Sequence, residues 1–220
     1  MDQKNLIIAM PKGRIFTEVR PLLDKIPLIP ESEFDNPDTR LLHFKTNELD
    51  ISLIKVRSFD VATFVAFGAA HIGIVGSDVI SEFNYPEVYS PLDLGVGKCS
   101  LCVAASRDFE NKDLSNLSHL RVATKYPENT KKYFAKKGIQ AECVKINGAV
   151  ELAPKLGLAT HIVDLVSTGR TMKENELVVL DKIIDVSTRL IVNRSIMKTR
   201  PNDVKSIIAK FRGVTDGCVN

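Results

Sequence analysis

Small hydroxyl residues and a glycine directly follow an apolar segment in the second half of the chain. The segment His161–Val166 carries one acid, Asp164, and continues into Ser167-Thr168-Gly169-Arg170-Thr171. A buried strand, a small-residue turn and a helix start together form an anion site, because the first backbone N–H groups of a helix have no internal partner. Gly169 lets the backbone approach a phosphate closely, and the hydroxyls add donors. Since Asp164 suits sugar hydroxyls, the pattern predicts a ribose-phosphate pocket.

The alternative interpretation of this loop is a simple helix cap after a strand, with no ligand. The rest of the chain favours the ligand site, because polar residues also end other strand-like segments. Lys12 and Arg14 follow one such segment, Arg57 follows a second, and Asp78 follows a third. Open α/β sheets bind their ligands at these carboxyl ends. Taken alone, the turn with Lys12 and Arg14 would be interpreted as a solvated basic turn.

The composition limits the classes of function. The chain has 220 residues, 44% of them hydrophobic, and a formal net charge of only +3. This charge is too small to indicate nucleic-acid binding, although it suits small polyanions. No run approaches the roughly 18 apolar residues that cross a bilayer, and Met1–Asn5 leads into Leu6–Met10 without the features of a signal peptide. We therefore expect a cytoplasmic protein that binds neither membrane nor nucleic acid.

Strand-like and helix-like segments alternate along most of the chain, which predicts an α/β protein with parallel or mixed sheets. Two features need a separate prediction. Tyr85–Pro91 is predicted to be a loop, and Ser58 is predicted to be the N-cap of the helix that follows Arg57. Near the end, long strand-like segments lead to Asn193, and one helix, Val204–Phe211, follows. A strand that returns after a complete β/α set indicates that the tail rejoins the first domain.

The cysteines and histidines do not form a catalytic motif. Cys99 and Cys102 have C-x-x-C spacing, but they lie on a predicted strand and have no second pair, so we expect no metal site or dithiol chemistry here. The sequence contains neither G-x-S-x-G nor H-E-x-x-H. The histidines stand in no recognisable dyad; they are His43, His71, His119 and His161.

A longer pattern surrounds the hydroxyl-rich loop. Glu151-Leu-Ala-Pro-Lys-Leu-Gly157 precedes Ala159, Ile162, Asp164 and the loop itself, which ends at Met172. This pattern resembles, at every defined position, the signature of the short-form ATP phosphoribosyltransferase family. Further blocks that resemble the family are Pro11–Arg14, Gly73–Gly76 with Asp78, Asp93–Cys99, Val122–Pro127 and Ser187–Asn193. His71 and Ser77 depart from the family, whose members often carry Asp and Lys there.

The resemblance implies two α/β domains around a cleft, like a periplasmic binding protein. The first domain would be discontinuous and built from residues 1–92 and 186–220. Residues 93–185 would form the second domain and carry the phosphoribosyl-binding loop.

The resemblance also implies a reaction, the transfer of the phosphoribosyl group of phosphoribosyl pyrophosphate to N1 of ATP. This is the first step of histidine biosynthesis, and Mg²⁺ would enter bound to the substrates. The loop residues Ser167, Thr168, Gly169, Arg170 and Thr171 would bind the 5′-phosphate, and Asp164 the ribose hydroxyls. Glu151 would hold a ribose hydroxyl or the metal shell. The residues expected to contact ATP or pyrophosphate are Arg14, Arg57, Asp78 and Cys99, and the catalytic roles would fall to Glu151, Asp164 and Arg14.

Two rival functions remain open from the sequence. A binding protein could use the same two-domain cleft without chemistry, since fold does not fix function. Another phosphoribosyltransferase could use a different base, but that group usually has two adjacent acids before its phosphate loop, and here Leu165 follows Asp164.

The resemblance implies a partner as well. Short-form members assemble with a separate regulatory subunit that resembles histidyl-tRNA synthetase. We expect no additional regulatory domain in this sequence, because only one predicted helix and a short polar tail follow Asn193. We therefore expect a homodimer at most for the isolated chain, and a hetero-oligomer when the partner is present.

Overall fold

The computed structural model describes residues 5–110 and 119–215, which form two compact units. Unit 1 extends as far as Gly97 and resumes at Ser187, and unit 2 extends from Lys98 to Val186. Each unit consists of a mixed β-sheet with helices, so the chain has two α/β domains. In residues 5–110 and 119–215, no helix combines the length and apolar character needed to cross a bilayer.

The strands, in chain order, are β1 (Leu6–Pro11), β2 (His43–Lys45), β3 (Ile51–Val56), β4 (Ile72–Gly76), β5 (Val88–Asp93), β6 (Cys99–Ser106), β7 (His119–Thr124), β8 (Gln140–Lys145), β9 (His161–Val166), β10 (Leu177–Val186) and β11 (Thr188–Asn193). The helices are α1 (Arg14–Lys25), α2 (Ser58–Ala66), α3 (Ser77–Phe83), α4 (Pro127–Lys136), α5 (Leu152–Lys155), α6 (Arg170–Glu174), α7 (Arg194–Thr199) and α8 (Pro201–Thr215).

The sheet of unit 1 has the strand order β2-β3-β1-β4-β11-β5. β1 runs parallel to β3 and β4, whereas β11 runs antiparallel to both β4 and β5. The alternation of side chains along a strand gives the sheet two apolar faces. Ile8 and Met10 of β1 pack in one core with α1 and α8, and Ala9 packs in the other with α2 and α3. The sheet is thus buried on both sides.

The sheet of unit 2 has the strand order β10-β6-β9-β7-β8. β7 runs parallel to β8 and β9, and β6 runs antiparallel to β9 and β10. Ile162 of β9 packs with Ala104 and Ala123 of its neighbours. The central strand β9, which leads into the hydroxyl-rich loop, is therefore fixed from both sides.

Three local predictions were wrong. The predicted loop Tyr85–Pro91 contains most of β5, which is a strand because it pairs with β11. Ser58 is the first residue of α2 rather than its N-cap; Arg57 occupies the cap position, and its side chain makes no capping hydrogen bond. As far as residue 215, where the described part of the chain ends, two helices follow Asn193 instead of one. The Asn193 side chain accepts hydrogen bonds from the backbone of Ser195 and Ile196 and so begins α7.

The chain passes from unit 1 to unit 2 after Gly97 and returns to unit 1 at Ser187. The expected domain boundaries lay after residues 92 and 185. Hydrogen bonds explain where the first crossing lies. The Leu94 N–H donates to the Thr188 carbonyl, and the Thr188 N–H donates to the Val96 carbonyl, each at 2.9 Å. Residues 94–96 therefore continue to pair with unit 1 beyond the end of β5.

Candidate active site

The hydroxyl-rich loop lies at the carboxyl end of β9, between that strand and α6. Burial decreases along β9, from fully buried His161 to half-buried Asp164 and exposed Ser167. Gly169 occupies the N-cap position of α6 with a φ of 72°, in the left-handed region that favours glycine. The sequence thus folds locally as predicted, with a strand, a tight turn and a helix start.

The loop presents its side chains to solvent. Thr168 and Thr171 are exposed, as are Ser167 and Arg170. Met172 of α6 instead points inward and packs with Ile162, which anchors the short helix against β9. The loop therefore has a fixed base and an accessible rim, as a binding loop requires.

Asp164 is half-buried near the end of β9, and its Oδ1 accepts a hydrogen bond from the Leu165 N–H at 2.8 Å. This contact orients the carboxylate near the base of the loop. Across the sheet, Asp164 is the register partner of Cys102 on β6. The position agrees with a carboxylate that meets a ligand bound by the loop.

Glu151 lies before α5, in the segment that follows β8, and is half-buried. Its neighbours Val150 and Ala153 belong to the same apolar cluster as Met172 and Ile162. The two ends of the sequence signature, which are separated by about one helix and one strand, therefore share a core. The fold brings the segment of Glu151 to the element that carries the loop.

Cys99 begins β6 and lies at the loop's edge of the sheet, because the antiparallel pairing places its neighbour Ser100 opposite Val166. Cys102 is buried, and burial raises the pKa of its thiol, which disfavours the reactive thiolate. Both cysteines carry reduced thiols. Within residues 5–110 and 119–215, no group of three or more His, Cys, Asp or Glu side chains is arranged to hold a metal ion.

The candidate ATP residues of unit 1 share one edge of its sheet. Parallel strands β1, β3 and β4 end there, followed by Arg14, Arg57 and Asp78 respectively. The Lys12 N–H donates to the Val56 carbonyl at 2.8 Å, which holds the turns after β1 and β3 side by side. The two arginines are exposed, so their guanidinium groups can reach a ligand.

Asp78 differs from these arginines because only 3% of its surface is exposed. Its carboxylate folds back over Gly76, where a Cβ would lie 2.0 Å from Oδ1 of Asp78. The residue is therefore built into the turn between β4 and α3. From this position it shapes the turn's backbone instead of presenting a carboxylate to solvent.

The two departures from the family pattern have structural partners in this chain. Ser77 exchanges hydrogen bonds with Ser187, donating its N–H to the Ser187 carbonyl at 2.9 Å and accepting the Ser187 N–H on Oγ at 3.2 Å. His71 accepts the Ile7 N–H on Nδ1 at 2.8 Å, at the amino end of β4 and away from the candidate site. None of these hydrogen bonds involves Arg14 or Arg57.

Two polar features of this edge were missed from the sequence. Asp93 accepts hydrogen bonds from Ser187 Oγ at 2.9 Å and pairs with Arg189 at 3.1 Å. Lys55, near the end of β3, places Nζ 4.0 Å from the centre of the Phe16 ring, and burial lowers the pKa of this amine. Asp93 and Ser187 are each the first residue of a block that resembles the family, and this resemblance could have identified them. No sequence feature marked Lys55.

Comparisons with known proteins agree on a single family. Residues 57–213 match the family model HisG, described as ATP phosphoribosyltransferase. The ATP phosphoribosyltransferase of Rhodospirillum rubrum is 57% identical over 96% of this chain and 93% of its own length. That of Paramagnetospirillum magneticum is 56% identical over 98% of this chain and 99% of its own.

Solved structures support the same assignment. The ATP phosphoribosyl transferase (HisG:HisZ) complex from Thermotoga maritima contains a chain with a TM-score of 0.82 and 32% identity, covering 96% of this chain and 99% of that one. The periplasmic aliphatic sulphonate binding protein SsuA from Escherichia coli has a TM-score of 0.58 at 11% identity, covering 97% of this chain and 69% of that one. The second similarity concerns the fold alone. With the signature loop in place at the end of β9, these matches show that the chain belongs to the ATP phosphoribosyltransferase family.

Proposed function

We propose how individual residues of this chain carry out the reaction of its family, the transfer of a phosphoribosyl group to N1 of ATP in the first step of histidine biosynthesis. The observation that carries the proposal is the loop after β9. There the backbone of Gly169 has a left-handed conformation, the hydroxyls of the loop are exposed, and Asp164 lies at the base of the loop. This arrangement suits a sugar phosphate.

The loop of unit 2 binds the phosphoribosyl end of the donor. Backbone N–H groups at the start of α6 and the hydroxyls of Ser167, Thr168 and Thr171 donate to the 5′-phosphate, supported by the charge of Arg170. Asp164 accepts hydrogen bonds from the ribose hydroxyls. Anchoring both ends of the ribose phosphate orients C1, the atom at which the bonds change.

The arginines of unit 1 bind the phosphates of ATP or of the leaving group. Arg14 and Arg57 are exposed at the edge where β1 and β3 end, and a guanidinium suits bidentate contact with phosphate oxygens. Asp78 supports the nucleotide side through its turn, and Cys99 does so from the start of β6.

The chemical step needs little proton transfer. The adenine N1 lone pair forms the bond to C1 while the bond from C1 to the pyrophosphate oxygen breaks, and the pyrophosphate carries away the electron pair. Positive charge develops on the ribose and negative charge on the leaving group, so positioning and charge stabilisation dominate. The carboxylates Asp164 and Glu151 stabilise the positive charge on the ribose. Arg14 stabilises the negative charge on the pyrophosphate.

Members of the family are metal-dependent. We propose that Mg²⁺ is the ion and that it enters with the substrate phosphates. Mg²⁺ commonly binds through phosphates and one or two carboxylates, and half-buried Glu151 offers one carboxylate beside the loop's core. The bound ion would neutralise charge on the pyrophosphate.

The proposed partner is a separate regulatory subunit. The similar chain from Thermotoga maritima was solved in a HisG:HisZ complex, and its match covers 99% of that chain. The same match covers 96% of the present chain. We propose that histidine regulation reaches the chain through such a hetero-oligomer.

A single reaction mixture tests the function. The purified chain is combined with ATP, Mg²⁺ and phosphoribosyl pyrophosphate, and the adduct is sought by mass spectrometry. Formation of phosphoribosyl-ATP supports the proposal. If the chain used guanine or hypoxanthine in place of ATP, it would be a phosphoribosyltransferase for a different base. If it bound both substrates but formed no product, it would be a non-catalytic binding protein.

A further inference from the structure

One carboxylate in unit 1 has two partners that are far apart in the sequence. Glu18 lies one helical turn after Arg14 on α1, and its Oε1 is 3.5 Å from Nε of Arg14. Its other oxygen, Oε2, accepts the backbone N–H of Gly97 at 2.6 Å. Glu18 therefore connects the proposed phosphate-binding arginine to the residue at which the chain leaves unit 1.

Gly97 is held firmly in place. Its φ is 67°, in the left-handed region, and a Cβ would lie only 2.4 Å from Oγ1 of Thr188. The preceding residue Val96 accepts a hydrogen bond from the Thr188 N–H at 2.9 Å. Any other side chain at Gly97 would thus be both strained and obstructed, so the N–H that binds Glu18 has a defined position.

This second contact makes the ion pair of Arg14 unlike an ordinary surface pair. Pairs of residues four apart on an exposed helix contribute little, because both side chains exchange among rotamers. Glu18 loses that freedom, since a charge-assisted hydrogen bond to Gly97 fixes its carboxylate. Arg14, half of whose side chain is exposed, therefore has a stationary acceptor beside it.

We infer that Glu18 is a positioning residue for Arg14, and that it couples anion binding at Arg14 to the segment 94–97. The inference rests on the proposed function, in which Arg14 meets phosphate. Without substrate, Glu18 orients the guanidinium at the carboxyl edge of β1. When a polyphosphate binds, its oxygens contact the Nη atoms of Arg14 while Oε1 of Glu18 holds Nε in place. The added negative charge then acts on the carboxylate of Glu18, which also binds the Gly97 N–H.

The substitution Glu18→Gln tests the positioning role. Glutamine keeps an acceptor oxygen for the Gly97 N–H but removes the charge that attracts Arg14. We expect the KM for ATP to rise about 3- to 10-fold with a smaller change in kcat, and we expect this rise to disappear in an Arg14→Ala background, because interacting residues are non-additive. The matched control is Asp24→Asn, which removes an ion pair with Arg20 on the same helix and should leave the KM unchanged.

The Gly97 amide provides a readout that does not depend on turnover. In an NMR titration with ATP, its resonance should shift in the wild-type chain and stay in place in Arg14→Ala and Glu18→Gln. A chain that forms no phosphoribosyl-ATP yet shows this pattern would overturn the proposed function and support the coupling. A Gly97 resonance that ignores ATP in the wild type would overturn the inference, as would a Glu18→Gln effect on KM of equal size with and without Arg14.

Discussion

At the scale of single residues, Gly169 combines a conformational and a steric requirement that two substitutions can separate. Its φ of 72° is strained for valine, whereas asparagine adopts this region more readily. We expect Gly169→Asn to keep the thermal stability of the wild type but to weaken binding of phosphoribosyl pyrophosphate by roughly 10-fold or more, because any Cβ hinders the approach of the phosphate to the backbone. Gly169→Val should lose both stability and affinity.

Gly157 is the matched control for this experiment. Its φ is 70°, no atom lies within 4 Å of a Cβ built on it, and it ends the turn after α5, outside the loop. Gly157→Asn should therefore leave the affinity unchanged when measured by calorimetry. Wild-type affinity in Gly169→Asn would show that the phosphate does not approach this backbone.

His161 provides a prediction of pH dependence. The imidazole is fully buried at the start of β9, beside Thr160 Oγ1 at 2.9 Å, and burial lowers its pKa to about 4. Because this value lies below the ordinary pKa of about 6.5, the native state favours the neutral ring, and stability present above pH 6.5 is lost as the pH falls toward 4. We expect the free energy of unfolding in urea to fall by about 2 kcal/mol from this residue between pH 7 and pH 5.

His161→Gln serves as the comparison, since its side chain does not titrate in this range. The pH dependence of its unfolding free energy should be smaller than that of the wild type by about the same 2 kcal/mol. The pKa of His71 is also lowered by burial, so part of the wild-type slope should persist in the variant. If the unfolding free energy depended on pH equally in both proteins, protonation of His161 would not destabilise the native state.

The residues of the site differed in how far the sequence could reveal them. The loop around Gly169 was predictable because its conformation follows from neighbouring residues. The contact between Glu18 and Gly97 joins positions 79 apart, and no local pattern marks it. Asp78 had the expected location, but its burial depends on how the turn after Gly76 folds back.

At the scale of elements, a polar cluster fastens α4 to the edge strand β10 of unit 2. Tyr133 donates its hydroxyl hydrogen to Asp181, and Lys137 donates to the same carboxylate oxygen at 2.6 Å. These contacts lower the pKa of Asp181, chiefly through Lys137. The cluster lies where β10 is irregular, between Val179 and Asp181, so it holds the helix at a point where strand pairing is interrupted.

Tyr133→Phe should therefore lower the free energy of unfolding by about 1 kcal/mol, because it removes one hydrogen bond to a partly exposed carboxylate and keeps the ring. Urea unfolding measures the change. Adding Asp181→Asn to this variant should cost less than Asp181→Asn does in the wild type, since the two residues share an interaction. Fully additive losses would indicate that the hydroxyl contributes nothing through Asp181.

Secondary-structure elements were likewise predictable where local sequence determines them, and were missed where they depend on distant residues. β9 was predicted because its apolar run is local. β5 was mistaken for a loop because it contains Pro91 and mostly half-buried or exposed residues, as an edge strand can. Its strand conformation depends on pairing with β11, about one hundred residues later, which no periodicity in Val88–Asp93 reveals.

At the scale of the whole molecule, regulation is expected to require a second chain. Allosteric inhibition needs a second site with different affinities for two states. We predict that the isolated chain forms a homodimer at most and is inhibited little by histidine, and that adding the regulatory subunit produces a hetero-oligomer that is sensitive to it. Light scattering measures the oligomeric state, and a histidine titration of the activity measures the inhibition. Each measurement is made with and without the regulatory subunit. Strong inhibition of the isolated chain by histidine bound outside the substrate sites would refute this prediction.

The position of β11 has a consequence for how the protein is made. This strand lies between β4 and β5, and its Leu190, Ile191 and Val192 are fully buried, yet a ribosome synthesises it only after all of unit 2. A chain released at Val186 should therefore contain a folded unit 2, with slow amide hydrogen exchange in β7 and β9, and an unfolded unit 1 with fast exchange in β1 and β4. We therefore expect the turns that carry Arg14 and Arg57 to take their final places only after all of unit 2 has been synthesised.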